Sequence, residues 1–87
     1  MAGKRFEVAF IRHGINGGPD KKNYRIYGVK GKNIEKMVQM TDFKNDQAVE
    51  RIYEFMDRSG ISKELKKIGA KDGDELYIGN KILIYRS

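Results

Sequence analysis

Ile68-Gly69-Ala70-Lys71-Asp72-Gly73-Asp74-Glu75-Leu76-Tyr77-Ile78-Gly79-Asn80 reads as a helix stop, a tight turn, a short strand and a second turn. Gly69 has no Cβ and can end a helix in the left-handed conformation. Asp72-Gly73 tolerates positive φ in a turn between two elements. Leu76, Ile78, Ile82 and Ile84 alternate with their neighbours, which predicts two strands turning at Gly79-Asn80. The stretch holds no nucleophile, no general base and no cluster of metal ligands. It closes the end of the chain as a structural unit.

Phe6, Val8 and Phe10 alternate with Glu7, Ala9 and Ile11 and predict a strand from Phe6 to Arg12. His13-Gly14-Ile15-Asn16-Gly17-Gly18-Pro19-Asp20 predicts a loop, rich in residues that interrupt regular structure. Tyr24 to Val29 predicts a second strand, antiparallel to the first, with Gly28 marking a bulge or a close backbone contact. Asn33 is a candidate N-cap for a short helix carrying Ile34, Met37 and Val38, broken at Thr41-Asp42-Phe43. Asn45 caps the main helix, with Asp46 in its first turn near the positive end of the dipole. Val49, Ile52, Tyr53 and Met56 form its apolar stripe, widened by Ala48 and Phe55. Gly60 closes that helix, and Ser62 caps a third one carrying Leu65 and Ile68.

The order strand, strand, helix, helix, helix, strand, strand predicts an α+β domain. The simplest packing is a four-stranded, mainly antiparallel sheet with the helices packed on one face. Residues 6–87 are expected to form a single domain. Residues 1–5 are expected to be a disordered lead, either native or foreign to the natural chain.

At 87 residues the chain has room for one core. Zero cysteines exclude a disulfide framework and thiolate metal sites. No apolar run approaches the ~20 residues that cross a bilayer, and Met1 to Arg5 lack the apolar stretch of a signal peptide. A cytoplasmic location and no membrane partner are the expectation. The net charge is +6, unevenly placed. Residues 1–43 hold nine Lys/Arg against four Asp/Glu, and residues 44–87 hold nine against eight. That asymmetry suits a polyanionic neighbour, or simply a solvated surface.

Gly14-Ile15-Asn16-Gly17-Gly18 lacks the Lys-Ser/Thr ending of a phosphate-binding loop. Pro19 follows instead, with no N–H to donate. His13 is the only histidine, with no second histidine or cysteine to complete a zinc set. Asp72, Asp74 and Glu75 are too few and wrongly spaced for a calcium loop and read as turn chemistry. Asp42 reads as a cap or turn acceptor. Arg12, Lys21, Lys22, Arg25, Lys30, Lys32 and Lys36 gather in sequence around the first hairpin and first helix, interleaved with Tyr24 and Tyr27. Basic side chains anchor phosphates and an exposed tyrosine can stack a base, so these seven are candidate polyanion contacts. At least one tyrosine in each strand is expected to point into the core.

Three segments in order carry a family resemblance. They are Val29-Lys30-Gly31-Lys32-Asn33-Ile34-Glu35 with Val38, then Met40-Thr41-Asp42-Phe43 leading into the main helix. The third is Gly60-Ile61 with Leu65, Gly69-Ala70-Lys71-Asp72-Gly73-Asp74 and Ile78-Gly79. Together they resemble the C-terminal (OCT) domain of the Obg family of bacterial GTPases, from about Phe6 to Tyr85. The last strand departs from that family's acidic–aromatic pattern, with Ile82-Leu83-Ile84-Tyr85-Arg86 in its place. The resemblance implies an accessory domain without catalytic residues or cofactors of its own, not itself an enzyme. It implies a parent GTPase that uses GTP and Mg, acts in large ribosomal subunit assembly and responds to guanosine tetraphosphate. The implied partners are the ribosome, ribosomal RNA or the parent's own GTPase domain, with the domain itself monomeric. The alternative is a stand-alone RNA- or nucleotide-binding module that uses the basic hairpin face.

Overall fold

A computed structural model describes residues 5–15 and 23–86. Its elements run β1 (Glu7–Ile15), β2 (Asn23–Lys30), α1 (Lys32–Met40), α2 (Asp46–Ser59), α3 (Ile61–Lys67), β3 (Glu75–Ile78) and β4 (Lys81–Ile84). This is the expected order of an α+β domain. The strands lie side by side as β1-β2-β3-β4. β1–β2 and β3–β4 are antiparallel, but the central β2–β3 pair is parallel. The sheet is therefore mixed rather than mainly antiparallel. The three helices between β2 and β3 carry the chain back to the end where β2 began, and such a crossover leaves its two strands parallel.

One face of the sheet sends Tyr27, Val29, Leu76, Ile78 and Leu83 into a core with the helices. Ile34 and Val38 of α1, Ile52 and Met56 of α2, and Ile61 and Leu65 of α3 complete it. The predicted stripe of α2 is thus the buried one, with Val49 and Tyr53 half-buried at its margin.

Caps explain where the helices start and stop. The Asn45 side-chain oxygen accepts the N–H groups of Gln47 and Ala48 at 3.0 and 3.2 Å, as its place before α2 predicts. The N-cap of α1 is Gly31 rather than Asn33, and Glu35 Oε2 reaches back to accept the Gly31 N–H at 2.9 Å. Ser62 lies inside α3, which begins directly behind Gly60. Gly69 ends α3 with φ +105°. Its N–H donates to Lys66 O and that of Ala70 to Leu65 O, at 3.1 and 3.0 Å. That pair of bonds is a Schellman stop, completed by the apolar contact of buried Ala70 and Leu65.

The two hairpins correct the simple alternation. Between β3 and β4 the turn holds Gly79 and Asn80, so Leu76 pairs with Leu83 and Tyr77 with Ile82. Cross-strand partners share a face. Leu83 therefore joins Leu76 in the core, and Ile82 and Ile84 point outward at 55 % and 49 % exposure. β1 runs on to Ile15, placing His13 and Gly14 in the strand rather than in a loop. Its register shifts between Phe10 and Arg12, leaving Ile11 as a bulge residue. The Ile11 side chain lies over Gly28, where a Cβ would come within 3.1 Å of it. The predicted close approach at Gly28 is this one.

Candidate polyanion-binding surface

The sheet face opposite the core carries no helix among the described elements. Two cross-strand rows run over it: Arg12, Ile26, Glu75 and Ile84, then Ala9, Gly28, Tyr77 and Ile82. The Arg12 guanidinium reaches over the intervening β2 to Tyr77. Its Nη2 lies 3.5 Å from the Tyr77 hydroxyl and its carbon 5.7 Å from the ring centroid. Tyr24 folds its ring over Gly14, the residue it pairs with on β1. This face thus offers a cation with two aromatic rings, the residue types that contact phosphate and base.

The other predicted contacts lie elsewhere. Arg25 and Lys30 are five residues apart on β2, about 16 Å at 3.3 Å per residue, and that odd spacing sends them to opposite faces. Arg25 lies on the helix side, with Nη1 donating to Gly69 O at 3.4 Å. The Tyr27 hydroxyl beside it raises its pKa further above the ordinary arginine value. Lys30 ends β2 opposite Glu7. Lys32 and Lys36 are exposed and one turn apart on α1, so they continue the Lys30 end of the sheet. Lys21 and Lys22 lie outside the described residues. Of the five described candidates, Arg25 is tied to the α3 stop, and Arg12, Lys30, Lys32 and Lys36 are exposed.

Tyr27 is fully buried, so one of the two interleaved tyrosines does point inward. Tyr77 was not among the candidates drawn from the sequence and, as the one tyrosine of β3, it faces away from the core, against the expectation that each strand sends a tyrosine inward. Its signal was present in the alternation of β3, where buried Leu76 and Ile78 leave Glu75 and Tyr77 for the other face.

Asp42 keeps to turn chemistry, whereas Asp74 serves its turn and also reaches across to β2. Asp42 Oδ1 accepts the Lys44 N–H at 3.0 Å. Asp74 Oδ1 accepts the Arg25 N–H at 3.0 Å and Oδ2 the Lys71 N–H at 2.9 Å. The His13 ring packs edge-on against Phe10, with centroids 5.2 Å apart. No group of three or more His, Cys, Asp or Glu among the described residues could hold a metal ion. No helix among them is long and apolar enough to cross a membrane.

A family model described as a domain of unknown function (DUF1967) matches residues 5–85. A protein named GTPase Obg from Tropheryma whipplei (strain Twist) is 42 % identical over 60 residues, covering 69 % of this chain and 14 % of that protein. The GTPase Obg of Onion yellows phytoplasma (strain OY-M) is 32 % identical over 65 residues, covering 75 % of this chain and 15 % of its own. That of Symbiobacterium thermophilum is 36 % identical over 66 residues, covering 69 % and 16 %. The chain thus spans about a seventh of the length of these relatives. No solved structure matches.

Proposed function

Because the chain belongs to the DUF1967 family of Obg C-terminal domains, we propose that it is the regulatory domain of an Obg-type GTP-binding protein that acts in large ribosomal subunit assembly and stress response. The observation that carries this reading is the family match from residue 5 to residue 85, in a chain whose own glycine-rich segment ends in Pro19 and not in a phosphate-loop lysine. GTP and Mg belong to the remaining length of such a protein. This domain contributes shape and positive potential, and makes or breaks no bond.

Its contact in this reading is ribosomal RNA. Lys30, Lys32 and Lys36 supply one line of cations, and Arg12 with Tyr77 and Tyr24 supplies a second contact on the open sheet face. Each phosphate neutralised releases counterions, so the affinity must fall steeply with salt. Titration of the chain with large-subunit ribosomal RNA at two salt concentrations tests this. The expected result is binding at low salt that weakens by orders of magnitude at higher salt. Salt-independent binding, or none at low salt, would overturn it. Guanine-nucleotide turnover by the chain with Mg would overturn the non-catalytic assignment.

A further inference from the structure

The helical side carries a groove that shares Lys36 with the RNA reading but is otherwise separate from it. α1 buries Ile34 and Val38, yet a second stripe of Asn33, Lys36, Met37 and Met40 runs alongside at helical spacing. α2 buries Ile52 and Met56, and a flanking stripe of Ala48, Arg51, Phe55 and Ser59 runs beside them. The two flanking stripes wall a groove made of two adjoining depressions of about 570 and 590 Å³, which share Asn33 and Phe55. Phe6, Ile34 and Ile61 continue its apolar floor to the start of α3. Met40 stands at the far end, 74 % exposed. From Ala48 to Ser59 the wall runs about 17 Å, or three turns of helix.

The rim is biased in charge. Arg5, Lys63 and Lys67 stand around the first depression, and Lys36 and Arg51 around the second. The acidic members are Asp42, whose Oδ1 is committed to the Lys44 N–H, and Glu64. A long apolar floor between basic walls fits the helix-in-groove mode of recognition, in which apolar anchors at i, i+4 and i+7 fill the floor. Methionine side chains suit such floors because they repack around different anchors. A second copy of this chain is a poor occupant, since each copy carries a net charge of +6.

We propose that the groove between α1 and α2 docks an acidic amphipathic helix of a partner protein, with its apolar stripe on Met37, Met40 and Phe55 and its carboxylates on Arg51 and Lys63. Charge complementarity sets partner choice here, and the floor supplies the desolvated contact. This inference stands apart from the RNA reading, because Arg51 and Lys63 belong to neither of its two contacts.

The probe is a synthetic peptide of about 15 residues, four turns long, with leucines at i, i+4 and i+7 and glutamates on both flanks. A twin peptide carries lysines in place of the glutamates. Amide chemical shifts of the labelled chain report where each binds. Saturable shifts are expected along the Met37–Met40 and Arg51–Phe55 walls, with no binding of the lysine twin. Arg51→Glu with Lys63→Glu, both on exposed positions, should weaken the acidic peptide about tenfold or more and admit the lysine twin. Ribosomal RNA affinity should change far less in that variant than in one reversed at Lys30 and Lys32. No saturable binding, shifts centred on Ile82 and Ile84, or an affinity untouched by the double reversal would overturn the proposal. So would chain self-association that the same reversal abolishes.

Discussion

Asp74 accepts the backbone N–H of Arg25 through Oδ1 at 3.0 Å, across 49 residues of sequence. Its other oxygen accepts the Lys71 N–H at 2.9 Å, and its own carbonyl accepts the Tyr85 N–H at 2.7 Å. The buried carboxylate thus joins the start of β2 to the turn after α3, and the backbone of the same residue holds the chain just past β4. Asp74→Ala leaves two backbone donors without their acceptor, at a cost of about 1–3 kcal/mol. Denaturant unfolding measures it, and an unchanged midpoint would show that the clamp contributes nothing.

The core and the β3–β4 register make a paired prediction. Ile52 has no exposed surface, and Ile52→Ala should cost about 2–5 kcal/mol. Leu83→Ala should be clearly destabilising, whereas Ile82→Ala, on the outer face, should stay within about 0.5 kcal/mol. The reverse order of the last two would mean that the hairpin turns one residue away from Gly79-Asn80.

Gly69→Val places a β-branched residue at φ +105°, a conformation that costs L-residues about 1–2 kcal/mol or more. The added side chain also meets the Arg25 guanidinium, since a Cβ there would sit 2.6 Å from Nη1. A lower melting temperature is expected. An unchanged one would contradict the stop at the end of α3.

Tyr85 and Tyr53 predict the alkaline limit of stability. Burial raises both phenols above 10.0, and Asp72 and Asp57 add to the effect at Tyr85. The folded state then holds these protons more tightly than the unfolded chain. Their contribution is fully present below pH 10.0 and lost as pH rises through the folded-state values. Tyr85→Phe should therefore flatten the loss of stability at high pH, as followed by urea unfolding across that range. An identical alkaline slope in the variant would assign the loss to other groups.

How far the fold could be read from residues varies with the kind of signal. Asn45 as a cap, Gly60 and Gly69 as stops and the Ile52–Met56 stripe are local, and local chemistry decides them. The parallel pairing of β2 with β3 is a consequence of where three helices return the chain, which no short window contains. The outward turn of Ile82 and Ile84 follows from pairing across a two-residue turn, where Tyr77 faces Ile82. Alternation counted through the turn assigns those residues to the wrong side. The basic set shows the same limit. Arg25 and Lys30 are neighbours in sequence, yet strand periodicity sends them apart, and Tyr77 joins Arg12 only because β3 lies beside β2.

Reversing Lys30, Lys32 and Lys36 to glutamate, beside a control reversing Lys66, Lys67 and Lys71, separates a docking surface from mere solvation. Both sets hold three exposed lysines, so both variants change the net charge equally. Equilibrium binding to large-subunit ribosomal RNA at low salt should fall far more in the first variant than in the second. Equal losses would mean that net charge alone attracts the RNA, and that this domain has no dedicated face for it.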